Sequence, residues 1–573
     1  MSSAAQIFLT GVTGFVGKVV LEELLRRRTE LNLERVYVLI RPKRGSASIQ
    51  ERFEREVASS ACFSALPPNW QQTVTVVPGD LSHDGLGIEP ASRDALSQRL
   101  THIINCAASV EFDLPLADAA AANITSALNV LELAGNCPGL RQFVNVSTAY
   151  VTPHPGEGVP VPEELVKLPF DPEEVYRQIL EGTADQAALL AQTGHPNTYT
   201  LTKCISENLL AGRKGNVPLA IVRPSIISAS WQYPMPGWID SYAAFAGFVS
   251  LIGAGLIKCV SARENTILDL VPCDEVSTRI VQTAFWSEQA GPCPLVQHVV
   301  TGLDRGGRVD TCIHGIESFF QRNPVRAWPQ MRRVGNGKPI HVQHWLYHKL
   351  PSQLISTWFA LRRQPKQQRQ VEKMLSKIEY LDGAFPYFTH NSFAFEAKTP
   401  IGIPNFEPKQ YIERVCRGVY ENLMRNDTGE TPLAGAQHRP PKRDWPWARQ
   451  QPQGNWAIRT AAYVVRKGLR RCTDTVTFNR PSFEQAVTRV EPGSLMLVVP
   501  NHRSYMDFVL CSYLFFAHPD LQVPIPQIAA ANEFAKIPLL GWFFRQTHAF
   551  YIQRGLGKAD PELTQKIENL VEQ

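Results

Sequence analysis

Over its first half the chain alternates short apolar runs with stretches of helical periodicity. Residues 6–9 form an apolar run that reads as a strand, and the stretch that follows carries Val19, Leu21, Leu24 and Leu25 at helical spacing. Further strands are predicted over residues 35–40, 74–77, 102–106 and 142–146, and a long helix over 116–136. Strands of this kind, each followed by a helix, predict an α/β fold with a doubly wound parallel sheet, whose ligand lies at the carboxyl ends of the strands. A helix over 275–286, capped by Asp274, is expected further on.

Chemistry-bearing residues fall where this rhythm turns. TGVTGFVG, residues 10–17, lies between the first strand and its helix. Gly11, Gly14 and Gly17 there allow a tight turn, approach of a pyrophosphate to bare backbone and close packing of helix on strand, with Thr10, Thr13 and Phe15 around them. The second strand ends in Arg41, with Lys43 and Arg44 beyond it. A site for NAD would usually place an acidic residue there, whereas basic side chains suit a 2′-phosphate, so NADPH is the expected cofactor. Asp80 and Leu81, at the end of the third strand, are placed to touch the adenine.

HPNTYTLTK, residues 195–203, sets Tyr199 and Lys203 four residues apart, so that on a helix they share one face. An ammonium beside a phenol favours the phenolate, which makes Tyr199 a candidate general acid. Ser147 and Thr148 close the strand at 142–146. A hydroxyl there can donate to a substrate carbonyl, and Thr148 is preferred, with Ser147 in reserve at the substrate.

Composition narrows the function classes. At 573 residues, 44% hydrophobic and 19% charged, the chain reads as a multidomain globular protein. A net charge of +5 without basic and aromatic interleaving does not point to nucleic acid. The eleven cysteines show no CxxC pair and no Cys/His cluster at metal-ligand spacing, so neither a metal site nor a disulfide framework is expected. No charged segment precedes an apolar run at the N-terminus, which argues against a secretory signal and for a cytoplasmic enzyme. Residues 241–257 lack charge and read as the buried or membrane-facing wall of an apolar pocket.

The first half resembles the extended short-chain dehydrogenase/reductases, which carry a Rossmann domain, and within them the fatty acyl-CoA reductases of the male-sterility type. The likeness rests on TGVTGFVGK at 10–18, VLIRPKRGS at 38–46, NCAASVEFD at 105–113, VSTAYV at 146–151, PNTYTLTK at 196–203, IVRPSII at 221–227 and PGWIDS at 236–241. It implies Thr148, Tyr199 and Lys203 as catalytic residues, and Gly11, Gly14 and Gly17 as cofactor binders. It also implies reduction of a long-chain acyl-CoA or acyl-carrier-protein thioester by NADPH to aldehyde and on to alcohol. Residues 152–196, between Thr148 and Tyr199, are expected to lie over the site as a lid or substrate-binding insertion.

Residues 1–296 are thus assigned to the reductase domain and 297–426 to a helical C-terminal reductase portion. Within the latter, His341, His344 and His348 are expected to be surface or structural residues. Residues 427–454, rich in Pro, Arg, Gln and Gly, form a linker. A basic helix over 456–471 suits either solvent or peripheral contact with an anionic membrane. Residues 455–573 resemble a partial glycerolipid acyltransferase domain on NHRSYMD at 501–507, NEFAKIPLLGW at 532–542 and AFYIQR at 549–554. That resemblance implies His502 as base, Asp507 as its partner and Arg554 as a phosphate binder. The family's third motif is expected beyond the helix at 561–571, where the chain stops at Gln573. A phosphate-acceptor acyltransferase is the competing function.

Overall fold

A computed structural model of the chain describes residues 4–42, 48–287, 293–323, 325, 331, 333–335, 342, 344–353, 356 and 365–424, and in a second unit 463, 482, 485, 528–531 and 549–552. The two compact units are Met1–Glu430 and Thr431–Gln573.

The first unit is built on seven parallel strands: β1 (Ala5–Thr10), β2 (Leu33–Ile40), β3 (Val74–Pro78), β4 (His102–Asn105), β5 (Gln142–Val146), β6 (Leu219–Pro224) and β7 (Leu295–Val299). Their order across the sheet is β7-β6-β5-β4-β1-β2-β3. From β1 the chain winds outward through β2 and β3, then returns to β4 on the other side. The reversal opens a crevice over the carboxyl ends of β1 and β4. The sheet continues through residue 299, across the boundary expected at 296.

Helices cover both faces, which is why the strands read as unbroken apolar runs; Ile7, Phe8 and Leu9 of β1 are all fully buried. On one face α1 (Phe15–Arg26) lies with a helix that runs Cys273–Trp286, sharing a core that includes Val19, Leu24, Val276 and Ile280. On the other face lies a continuous helical stretch, residues 116–135, in which one π-helical turn, Ala121–Thr125, joins two α-helical segments. Beside it runs the helix Thr198–Arg213, with Leu131, Leu201 and Ile205 in the common core.

Within residues 152–196 the helices Pro172–Glu181 and Gln186–Thr193 bury Val175, Tyr176, Ile179 and Leu189 in that second core. An apolar stripe at positions 175, 176 and 179 is stable when it is buried against other apolar surface. Asp274 does not cap the helix after it; Pro272 is the N-cap residue, and the buried Asp274 carboxylate instead accepts the amides of Trp231, Gln232 and Tyr233 at 2.7–3.0 Å.

The C-terminal part of this unit adds helices Val309–Arg322, Pro365–Ala384, Pro386–His390 and Pro408–Gly418. Their apolar residues, among them Ile316, Phe320, Tyr411 and Val415, join the first core. His348 is buried and accepts the Lys258 amide at 2.9 Å, a structural role, and His344 is buried beside it; His341 lies outside the described residues. In the second unit, Ile528–Ala531 and Ala549–Ile552 pair in parallel.

Candidate active site

At the crevice, the turn after β1 depends on missing side chains. Gly11 has φ +74°, and a Cβ there would stand 2.7 Å from the backbone of Cys106 and Ala107. At Gly17 a Cβ would come within 2.2 Å of the Gly11 carbonyl oxygen. Gly14, by contrast, is exposed, and a Cβ there would meet only that oxygen, at 3.2 Å. The face of the turn is therefore bare backbone at the start of α1, where Gly14 is the N-cap and no side chain caps the helix. Amides and helix dipole at such an end suit a pyrophosphate, so these residues fit a dinucleotide.

The turn is held from below and from the side. Thr10 Oγ1 donates to Asn105 Oδ1 at 2.6 Å and accepts the Ala107 amide at 3.2 Å, while Asn105 Nδ2 donates to Asn145 Oδ1 at 2.8 Å. One buried chain of polar groups thus ties the ends of β1, β4 and β5. Phe15 stacks on Trp238 at 5.4 Å, and Lys18 pairs with Asp240 at 2.6 Å, which holds the 236–241 stretch against α1. Thr13 is half-buried in the turn.

At the β2 end, Arg41 is exposed. Asp80 accepts the Ser82 amide and hydroxyl at 3.1 and 2.8 Å. Burial opposes its ionisation, but the Ser82 bonds and the Arg41 charge outweigh it and hold the carboxyl below its ordinary range. Leu81 turns its side chain into the second core, and Arg44 lies outside the described residues.

The helix Thr198–Arg213 starts because Asn197 caps it, accepting the Thr200 amide at 2.9 Å. Tyr199, Lys203 and Glu207 follow at four-residue steps along one face. The Tyr199 phenol interacts with the Thr148 hydroxyl, which also accepts the Tyr150 amide at 3.3 Å just past β5. Lys203 Nζ donates to the Val146 carbonyl at 2.9 Å.

Sequence reasoning expected the ammonium to draw the phenol down. Instead burial dominates and raises Tyr199 to about 12, with the Thr148 bond partly opposing. Lys203, turned toward a strand carbonyl, is itself pushed down to about 8 by burial, with Glu207 and Cys106 opposing.

Glu207 is a residue that sequence reasoning missed. It makes a wholly buried ion pair with Arg223 of β6, Nε to Oε1 3.0 Å. Its spacing from Lys203 was a readable signal; the partner across the sheet was not. The buried Ser147 hydroxyl has no hydrogen-bond partner among the described residues. Burial raises the Cys106 thiol to about 12 and Cys204 higher still, which disfavours a thiolate nucleophile at either.

Over this corner lies an aromatic group. Phe112 is 5.6 Å from Tyr199, 5.4 Å from Phe385 and 5.7 Å from Phe388, and its amide is hydrogen-bonded to the Tyr380 hydroxyl. The loop that carries Phe112 is pinned to the Tyr199 helix: Thr198 Oγ1 donates to the Leu114 carbonyl at 2.8 Å. Beyond the aromatics, the helix Phe245–Gly253 lines an apolar cavity, so the uncharged stretch at 241–257 provides a buried wall.

A glycine cradle and a Tyr-Lys helix at the carboxyl edge of one parallel sheet agree with the comparison of the sequence with family models. Residues 9–280 match the model described as Male sterility protein. Over these residues the chain is similar to that family. The matched stretch carries both the cradle and the Tyr199 corner. Curated relatives of the chain include human fatty acyl-CoA reductase 1, 28% identical over 455 residues, or 75% of this chain and 86% of the relative. Fatty acyl-CoA reductase 2 of Bos taurus is 28% identical over 459 residues, with the same coverage of both chains. Among solved structures, the terminal R domain of the myxalamid PKS-NRPS pathway superposes with a TM-score of 0.52 at 20% identity, covering 73% of this chain and 92% of that one. That likeness establishes the shared fold.

Residues 483–573 match the model described as Acyltransferase. His502, Asp507 and Arg554, and the basic helix expected at 456–471 apart from the exposed Tyr463, lie outside the described residues. Among the described residues no group of His, Cys, Asp and Glu could hold a metal, and no helix is long and apolar enough to cross a membrane.

Proposed function

We propose that the chain reduces a long-chain fatty acyl thioester, carried by CoA or by an acyl-carrier protein, with NADPH, first to the aldehyde and then to the alcohol. The observation that carries this reading is the pairing of the Tyr199 phenol with the Thr148 hydroxyl beside a bare glycine turn and beneath an aromatic and apolar wall. The curated relatives' names support the thioester as substrate.

NADPH, when bound, supplies the hydride. Gly11, Gly14 and Gly17 would receive its pyrophosphate, with Thr10, Thr13 and Phe15 shaping the turn. Arg41 and Arg44 would meet the 2′-phosphate, and Asp80, with the backbone at Leu81, the adenine. Thr148 would hold the substrate carbonyl oxygen as charge develops on it, with the Ser147 hydroxyl as a second donor. Tyr199, protonated at neutral pH by its raised pKa, would deliver the proton. Lys203 would keep a positive charge beside the phenol and the cofactor ribose; that charge is held below about pH 8.

Incubation of the purified chain with palmitoyl-CoA and NADPH tests the proposal, with absorbance loss and fatty alcohol both measured. Neither signal from wild type, or full activity in Tyr199→Phe, would refute it.

The Acyltransferase match favours a second activity, transfer of an acyl group to a phosphate-bearing acceptor. His502 would strip the acceptor hydroxyl, Asp507 would orient His502, and Arg554 would bind the phosphate. Acyl transfer to glycerol 3-phosphate that disappears in His502→Ala and survives in Tyr199→Phe would separate this activity from the reduction. A chain that transfers no acyl group excludes it.

A further inference from the structure

Behind the aromatic group the first unit keeps an apolar cavity of about 50 Å³, bounded by residues that include Ile226, Phe248, Ile252, Val260, Ile313 and Ile316. Thr389 also lines it, and its hydroxyl is engaged with the Ser261 carbonyl at 2.7 Å. Phe385 and Phe388 line the cavity on one side and touch Phe112 on the other, so two rings separate it from the neighbourhood of Tyr199.

The cavity's direction can be read along the helix Phe245–Gly253. Phe248 lies 5.2 Å from Phe385, near the site. Ile252 is one turn further, about 6 Å along the axis. Gly253 then abuts Phe320, on the same helix as Ile313 and Ile316. The cavity thus leads from the rings at Tyr199 toward the helix Val309–Arg322. Unfilled apolar space costs stability, and a dry hollow next to a reactive corner suits an alkyl ligand better than water.

We propose that this cavity receives a segment of the substrate's acyl chain, with Phe385 and Phe388 at its entrance and Ile252 and Ile316 at its closed end. The proposal rests on the thioester-reductase reading and adds to it where the tail goes and what measures it. The space holds roughly four water-sized groups, hence about four methylenes. Each methylene buried there should raise kcat/KM about fourfold, so preference should climb over a window of about four carbons and then level off.

Two measurements test this on the full chain. In the first, NADPH oxidation is followed with acyl-CoAs from hexanoyl to stearoyl. Ile316→Phe, which fills the closed end, should lower the palmitoyl-to-hexanoyl ratio of kcat/KM on the order of tenfold, the loss of about two methylene sites. Ile316→Ala should move the plateau to longer chains. Ile313→Phe serves if thermal melting shows that Ile316→Phe does not fold. In the second, the fluorescence of cis-parinaric acid reports occupancy without any turnover, and its binding should weaken about tenfold in the Phe variants. An unchanged chain-length profile together with unchanged parinaric acid binding in folded Phe variants would overturn the proposal. Parinaric acid binding that is sensitive to Ile316, in a chain that reduces no acyl-CoA of any length, would support the cavity assignment and refute the reductase reading instead.

Discussion

The glycine cradle and the Tyr199 corner share one sheet edge but are built in opposite ways. The cradle works by absence: at Gly11 and Gly17 no side chain fits, and at Gly14 none covers the backbone. It is made within eight consecutive residues and needs only a strand before it and a helix after it. The corner works by convergence. Tyr199 and Lys203 come from one helix, Thr148 from the end of β5, Arg223 from β6 and Phe112 from a loop after β4, and burial is the main influence on the pKa of Tyr199 and of Lys203. A site made of backbone tolerates no added atom, whereas a site made of buried side chains depends on what lies behind them.

That contrast can be broken at four points. The largest effect is expected from Tyr199→Phe, which removes the proposed acid and keeps the packing: kcat for thioester reduction should fall about 10²- to 10⁴-fold, with melting temperature nearly unchanged. Next is Glu207→Gln, which leaves Arg223 charged and half-paired in the core. Thermal or denaturant unfolding should show a loss of about 3 kcal/mol. The same change has a second signature. Glu207 opposes the burial that depresses Lys203, so without it the Lys203 pKa drops further below about 8. A cation with a lowered pKa is lost as pH rises through that value, so wild-type activity should decline above about pH 8. In Glu207→Gln this alkaline limb should move to lower pH, and a pH–rate profile with an unmoved limb would show that Glu207 is purely structural.

An effect of similar size is expected at the cradle. In Gly17→Ala the new Cβ would lie 2.2 Å from the Gly11 carbonyl oxygen, so the turn must open. NADPH titration by fluorescence should show roughly a hundredfold weaker binding, equivalent to about 3 kcal/mol of overpacking. The smallest is Arg41→Ala, which removes one exposed charge: affinity for NADPH should fall about fivefold while that for NADH stays the same. Equal loss for both cofactors would remove the argument for a 2′-phosphate at this position.

Legibility in the sequence followed the same division. The strands, the glycine turn and the Tyr-Lys spacing were readable because each is set by neighbours in the chain: alternation of element types, φ above zero at Gly11, and four-residue helical steps. For residues 152–196 the sequence left a lid and a substrate-binding insertion both open, because an amphipathic stripe states that a face must be buried and not against what. Asp274 was misread as a cap, since its three amide partners come from a loop some forty residues earlier. The Tyr199 pKa was misjudged because proximity in sequence suggested a charge effect, whereas in the folded protein burial governs the phenol and Lys203 turns to Val146.

By itself, then, the order of residues determined the parallel sheet, the place of the crevice and which side chains stand at its rim. Periodicity and missing side chains act over one or two turns of chain. The fold alone decided the protonation of the Tyr199 corner, the Arg223 partner of Glu207 and the cavity lined by Phe385 and Ile316, because desolvation and packing depend on atoms that meet only after distant segments have come together.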